Sequence, residues 1–302
     1  MKIRLGIGLI LMIIRFTPCF GQGTSADASS QLNQSFYDMS LEELMGIEVK
    51  VASMQGLTTR ESPGVITLIT EEEIQSSGAR DLMDLLQQVP GFDFGVDVEG
   101  VVGLAVRGNW AHEGKALLLI DGLEMNENLF STLQFGNHYP VNDIKKIEII
   151  RGPGSAIYGG NAEYAVINII TKSPVELNGT EIKASYGLMN DVEGGKSLNL
   201  SSGKQFGRFG YSVNYHFGNA IRSNRIYNDF YDGSFDMSTN SDIGLHYINI
   251  GLSYSKLQFR GIIDKYKLQS QDNYDMITSQ PYDVKFDSYI GELKHELQLL
   301  KI

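Results

Sequence analysis

The chain has 302 residues, with 36 acidic against 25 basic side chains and a formal net charge of −11, a balance that argues against nucleic acid as a partner. Its single cysteine, Cys19, leaves no disulfide framework. Residues 1–21 read as a cleaved secretory signal: Lys2 and Arg4 precede an apolar run from Leu5 to Ile14, and Cys19-Phe20-Gly21 offers small residues where a signal peptidase reads. The run is too short, and too charged at Arg15, for a spanning helix. Cleavage after Gly21 removes the only cysteine and leaves a net charge of −14.

Residues 22–56 read as a periplasmic leader. Gln22 to Gln34 is polar and aperiodic, and Ser40 with Glu43 has capping-box spacing that predicts a short helix to about Met45. Glu48, Val49, Lys50, Val51, Ala52 and Ser53 alternate as a strand that stands alone before the globular region. Such a strand has a free edge that another protein's sheet can extend, or it is the first strand of the sheet that follows. Between Asp38 and Glu99 the only bases are Lys50, Arg60 and Arg80. This is either a solvated acidic face or a docking surface for a basic partner.

Val65 to Thr70 reads as a strand, and Thr70 with Glu73 forms a second capping box opening a helix that Gly78 stops. Arg80 to Gln88 carries Leu82, Leu85, Leu86 and Val89 at helical spacing, ended by Pro90-Gly91. Strands at Val102–Val106, Ala116–Ile120, Ile147–Ile150 and Val166–Ile170 supply a sheet for that apolar stripe, giving an α+β domain of about 110 residues. Asp121-Gly122 is a type I′ hairpin signal. The glycine and proline content after Ile150 predicts an irregular corner without helix.

Candidate chemistry in this domain is sparse. Gly152-Pro153-Gly154-Ser155 lacks the Lys-Ser/Thr of a nucleotide loop, and Pro153 removes a donor. Ser155 is not in a nucleophile elbow, and His112-Glu113 lacks the second histidine of a zinc helix. No catalytic constellation, metal site or cofactor is predicted. Arg107 and Arg151 each end a strand beside a glycine, Gly108 and Gly152, where a buried guanidinium needs carboxylate or backbone partners. Two loops gather aromatic and histidine side chains: Trp110 and His112 in one, and Phe130, Phe135, His138 and Tyr139 in the other.

After Pro174 the helical periodicity gives way to alternation at Glu181–Tyr186, Lys196–Ser201, Tyr211–Phe217, Tyr247–Tyr254, Leu257–Leu268 and Ser288–Leu299. Val213, Tyr215 and Phe217 take one face, with Ser212, Asn214 and His216 on the other. Six such strands suit a lipid-facing barrel or a soluble sandwich. With no long apolar helix after the signal, a barrel is the only way for this chain to span a membrane.

Three segments in order, LAVRGN at 104–109, KALLLIDGLEM at 115–125 and IEIIRGPGSAIYGGNAEYAVINIITK at 147–172, resemble the plug domain of TonB-dependent outer-membrane receptors. That resemblance implies an α+β plug at 57–173 followed at 174–302 by antiparallel transmembrane strands of an incomplete β-barrel. It implies a non-enzymatic receptor in the outer membrane and its lipid, with Glu48–Ser53 as the box that pairs with TonB. It puts Arg107, Gly108 and Arg151 to Ser155 at the plug–barrel contact and its gating, where barrel acids receive the arginines. It turns Trp110, His112, Phe130, Phe135, His138 and Tyr139 toward an external small-molecule or metal-chelate ligand, or packs them on the barrel lining. Ferric siderophore is the default ligand; cobalamin, haem and glycans share this plug. Glu163-Tyr164-Ala165 replaces the family's usual glycine pair and departs from its seating geometry. Barrels of such transporters have about 22 strands, so six predict a fragment or truncated product. The alternative is a plug-bearing protein that binds or signals without transport.

Overall fold

The computed structural model describes residues 65–97, 99–273 and 276–295, together with two short strands, β1 (Glu48–Val49) and β2 (Leu57–Thr58), which pair antiparallel. The predicted signal, the leader helix and Lys50–Ser53 lie outside the described residues.

β3 (Ile66–Thr70) runs directly into α1 (Glu71–Ser77). The Thr70 hydroxyl accepts from the Glu73 amide while the Glu73 carboxylate accepts from the Thr70 amide, and Gly78 closes the helix at φ 68°. α2 (Leu82–Leu86) is capped by Asp81 and buries Leu82, Leu85 and Leu86. It is shorter than the predicted run to Gln88, because the chain turns after Leu86 toward β4 (Phe92–Val96). β4 has no strong sequence signal, yet it pairs with β5 (Val102–Val106), which pairs in turn with β6 (Asn109–Trp110).

β7 (Ala116–Ile120) and β8 (Leu123–Glu124) form the expected hairpin, with Asp121 at φ 50° and Gly122 at φ 87°, both positive as a type I′ turn requires. β9 (Ile144–Arg151) and β10 (Ala165–Thr171) complete a five-stranded sheet in the order β3-β9-β10-β7-β8, in which β10 lies antiparallel to β9 and parallel to β7. β7 is buried at every position, which accounts for its unbroken apolar sequence. The corner between β9 and β10 is not free of helix: α3 (Ser155–Tyr158) makes one turn there. A single turn needs few bonds. The Gly154 carbonyl accepts from the amides of Ile157 and Tyr158, so neighbouring glycines do not prevent it. Ser173 and Glu176 form a further capping box on α4 (Pro174–Leu177), with proline at the first helical position.

The predicted runs after Pro174 fall on strands, the last as far as His295, with its remainder outside the described residues: β11 (Gly179–Met189), β12 (Val192–Phe206), β13 (Phe209–Ile221), then a small hairpin of β14 (Ile226–Asn228) and β15 (Ser234–Asp236), and β16 (Asp242–Tyr254), β17 (Leu257–Asn273) and β18 (Met276–His295). The six long strands form one antiparallel sheet in chain order, joined at one rim by two-residue turns at 207–208 and 255–256 and at the other by the longer 222–241 connection. Phe206, Phe209, Tyr254 and Phe259 are exposed near the rim of the 207–208 and 255–256 turns, as in the aromatic girdle of a membrane barrel wall. Asn214 and His216 are buried on the inner face, while Val213, Tyr215 and Phe217 stay half-exposed outside. Among the described residues no helix is long and apolar enough to cross a membrane.

Candidate functional site

The α+β domain and the wall share one hydrophobic core, in which Ile243, Leu245, Tyr247, Ile262, Tyr266 and Leu268 of the wall pack with Leu82, Leu118 and Ile147 of the domain. Polar contacts across this seam concentrate on β17, whose inward positions alternate through Arg260, Ile262, Asp264, Tyr266 and Leu268. Arg260 Nη1 lies 2.5 Å from Asp121 Oδ2 and also donates to Asn249 Oδ1 at 3.1 Å and Thr171 Oγ1 at 3.3 Å. The Asp121 carboxylate accepts in addition from the Thr171 amide and hydroxyl, so the turn residue is held from both sides of the seam.

Higher on β17, both carboxylate oxygens of Asp264 lie within 3.0 Å of His138 Nε2, and His138 Nδ1 lies 2.5 Å from the Gln134 carbonyl. Both ring nitrogens face acceptors, so both bonds form only when the ring carries two N–H groups. The imidazole is stacked between Tyr139 and Tyr266, with ring centroids at 3.8 and 4.3 Å. The Tyr266 hydroxyl donates to the carbonyls of Gly136, at 2.9 Å, and Phe135, at 3.1 Å. At the outer rim Arg222 donates to the Gly100 carbonyl of the domain and the Gln269 carbonyl of the wall. Asp143 is buried close to the Arg260–Asp121 pair; loss of hydration, then the Asp121 charge, push its carboxyl up to about 7 against the pull of Arg260 and Lys172.

Of the two readings of the loop aromatics, packing on the wall describes Phe135, His138 and Tyr139. Phe135, His138 and Tyr139 do not face outward: each is 2% exposed or less, sealed between domain and wall because their loop packs on Tyr266 and Asp264. His112 is also buried, with Nε2 at 3.1 Å from Asp97 Oδ2 within the same domain. Trp110 and Phe130 remain exposed. Arg107 and Arg151 do not meet wall carboxylates among the described residues. Arg107 Nη2 donates to the Arg151 carbonyl at 2.8 Å and Arg151 Nη1 to the Pro90 carbonyl at 3.1 Å. The left-handed pair Arg107-Gly108, at φ 52° and 80°, turns the chain beside β9, so backbone carbonyls of the domain itself receive these guanidinium groups. Gly154 sits so close to β10 that a Cβ would lie 2.5 Å from Val166 Cγ2, and its amide donates to the Ala162 carbonyl.

The residues that join domain to wall, Asp121, Arg222, Arg260, Asp264 and Tyr266, were not among the sequence candidates. The pattern RGIIDKYKL at 260–268 marks a strand but not a seam, because charge falls on both faces: Arg260 and Asp264 on the inner one, Lys265 and Lys267 on the outer. Next to this seam, toward β12 and β13, plug and wall are not in contact throughout. A cavity of about 1070 Å³ separates Asp81, Asn137 and Pro140 from Ser197, Asn199 and His216. Among the described residues no group of His, Cys, Asp and Glu is arranged to hold a metal ion.

Comparison with known proteins agrees with this architecture. Residues 58–166 match the family model of the TonB-dependent receptor plug domain. The chain is 34% identical over 148 residues to the vitamin B12 transporter BtuB of Vibrio vulnificus, covering 48% of this chain and 23% of that protein. It is 31% identical over 229 residues to the rhizobactin receptor of Rhizobium meliloti, covering 72% and 28%. It therefore spans about a quarter of the length of these curated relatives. The ferripyoverdine receptor of the Pseudomonas aeruginosa outer membrane superposes with a TM-score of 0.57 at 14% identity, over 83% of this chain and 34% of that one. The ferric enterobactin receptor of the same organism gives a TM-score of 0.55 at 17% identity, over 83% and 40%.

Proposed function

The chain is a plug-bearing member of the TonB-dependent receptors, and from that premise we propose that it imports a scarce external ligand across the outer membrane, energised through TonB. The observation that carries the proposal is the seating of the plug against the inner face of an antiparallel wall through β17. A plug fixed by a few side-chain contacts blocks a pore at rest and can be shifted when those contacts are pulled.

In this reading Glu48–Ser53 is the segment that TonB extends as a strand, and β1 rests meanwhile on β2. Work drawn from the inner-membrane proton gradient then strains the plug and opens a path. Trp110 and Phe130 are the exposed loop residues offered to ligand, and Arg107 and Arg151 brace the plug's own corner. The reading requires secretion and residence in the outer membrane, with the aromatic girdle at the periplasmic rim.

For the ligand we favour a ferric siderophore. The match to the rhizobactin receptor extends over 72% of the chain, whereas that to the B12 transporter covers 48%. Both matching proteins bear names of receptors or transporters, which weighs against a plug-bearing protein that binds or signals without transport. The test is uptake of ⁵⁵Fe-loaded siderophores and of ⁵⁷Co-cobalamin in strains with and without the gene, in backgrounds with and without TonB. Gene-dependent iron uptake that vanishes without TonB is expected. Uptake indifferent to TonB would overturn the proposal, and cobalamin uptake alone would replace its ligand.

A further inference from the structure

Plug loop and wall close on the ring of His138. Its Nδ1 lies 2.5 Å from the Gln134 carbonyl, and its Nε2 lies 3.0 and 2.9 Å from the two carboxylate oxygens of Asp264. Among the described residues no other donor reaches Asp264, so the contact needs a proton between Nε2 and the carboxylate, whichever atom carries it. Without that proton a ring lone pair faces a buried carboxylate, between two tyrosine rings and away from water that could satisfy either. Once the loop leaves the wall both groups are hydrated. In water an ordinary imidazole gives up its proton at about pH 6.5 and an ordinary aspartic acid at about pH 4.

The loop that carries His138 is also strained. Asn137 and Tyr139, on either side of it, have positive φ of 50° and 56°, after Gly136 at 88°. Residues other than glycine take that conformation at a cost, and the surrounding contacts must hold them there. Tyr266 holds the carbonyls of Phe135 and Gly136, Asp81 holds the Asn137 amide, and the Leu82 amide holds the Tyr139 carbonyl. The titratable and charged groups that face the pair are Tyr139 on the loop, Asp81 before α2, His216 on β13, Tyr247 on β16 and Tyr266 on β17, with Arg222 beyond Tyr266. None of them is hydrogen-bonded to His138 or to the Asp264 carboxylate.

We propose that this contact is a proton-dependent latch: the plug takes up a proton at His138–Asp264 as it seats on β17 and gives it up when the loop leaves the wall. Between about pH 4 and 6.5 both states hold one proton in the pair, and above about 6.5 only the seated state does. The latch is therefore firm below that value and slackens as pH rises. Once it opens in alkaline surroundings, relief of the strain at Asn137 and Tyr139 favours the open loop, and reseating waits for a proton. Asp143 acts with the same sign, but at the Arg260–Asp121 end of the seam, and its contribution runs out above about 7. The latch goes beyond the transport reading and holds whichever ligand is carried.

Urea titrations of the purified full receptor between about pH 7 and 9 test this, with the seated fraction read by a brief pulse of proteolysis and every variant compared with its parent at the same pH. The parent carries Asp143→Asn, which removes the other titration on the seam. Its seating constant should fall by at least about tenfold over this range, tenfold per pH unit being the limit for one proton. Asp264→Asn should keep the contact without the extra proton, because its amide donates to Nε2 while Nδ1–H still donates to the Gln134 carbonyl. Its profile should be flat within about twofold, so that it gains on the parent as pH rises, which a mere loss of packing cannot produce. His138→Gln, which does not titrate, should be flat as well, and His216→Gln should keep the parent's slope. Parallel profiles for the parent and Asp264→Asn, or a slope that His216→Gln abolishes, would overturn the proposal.

Discussion

Arg260 of β17 and Asp121 of the β7–β8 turn meet at 2.5 Å, so one residue both shapes a hairpin in the plug and fastens that hairpin to the wall. Both side chains are largely buried, which makes the loss of one partner costly to the other. Arg260→Ala should destabilise the seated plug by about 3 kcal/mol, the low end for a buried pair because part of the arginine reaches solvent. Arg260→Lys should recover part of the loss, since one nitrogen, Nη1, makes the contacts to Asp121, Asn249 and Thr171, and a shorter ammonium with three N–H groups replaces it in part. Limited proteolysis of the plug in purified receptor, read as protected fraction against denaturant, measures both. Unchanged protection in Arg260→Ala would remove the pair from the seam's energetics.

Asp143 gives the seam a pH dependence of definite sign. Its carboxyl titrates at about 7 in the folded protein and near 3.8 in the unfolded chain, so between those values the native state binds the extra proton. Stability therefore falls as pH rises from about 4 through 7. Asp143→Asn, which keeps the shape without the titration, should flatten that slope. The variant should match the parent below pH 4 and exceed it above pH 8 by on the order of 4 kcal/mol. Denaturant titrations at the two extremes check it, and a parent curve that rises with pH in this window would contradict the assignment.

The His138–Asp264 contact predicts a coupling rather than a simple loss. His138→Ala leaves a buried carboxylate facing apolar rings, at about 3 to 5 kcal/mol, whereas adding Asp264→Asn should restore part of that. A double-mutant cycle on plug protection should give an interaction energy above about 1 kcal/mol. Strict additivity would mean that the stacked rings, and not the His138–Asp264 hydrogen bond, hold the loop.

Gly154 tests the corner between β9 and β10. Gly154→Ala puts a methyl carbon 2.5 Å from Val166 Cγ2, so overpacking of about 1 to 3 kcal/mol is expected. Trimming the clashing atom with Val166→Ala should make the pair less destabilised than the sum of the single variants. Thermal unfolding of all three proteins decides it.

On the proposed transport reading, Val49→Pro removes a ladder donor from the strand offered to TonB and should abolish site-directed crosslinking to it, with plug protection unchanged. Full crosslinking in that variant would place the contact elsewhere.

The six long strands were legible because their outer halves alternate cleanly, as at Tyr211–Phe217, where lipid takes one face and the lumen the other. β17 was legible as a strand but not as the seam. Where the plug fills the lumen, inward positions such as Ile262 and Leu268 turn apolar, and the contrast between faces disappears. Loop composition could not separate buried Phe135, His138 and Tyr139 from exposed Phe130, because aromatic side chains serve a seam and a ligand equally well and only the partner strand distinguishes them. The same limit explains the arginines. Their position at strand ends was right, but which carbonyls they reach depends on where the 107–108 turn stands relative to Arg151 at the end of β9.

The alternate spacing of Arg260, Asp264 and Tyr266 has a consequence for assembly. A slip of β17 by a single residue against β16 would turn all three toward hydrocarbon and present Gly261, Ile263 and Lys265 to the plug. Antiparallel hydrogen bonding alone tolerates many alignments of long strands, but this one is keyed at three points over about 20 Å by partners in the plug. The plug thereby acts as a jig on which this part of the wall finds its alignment.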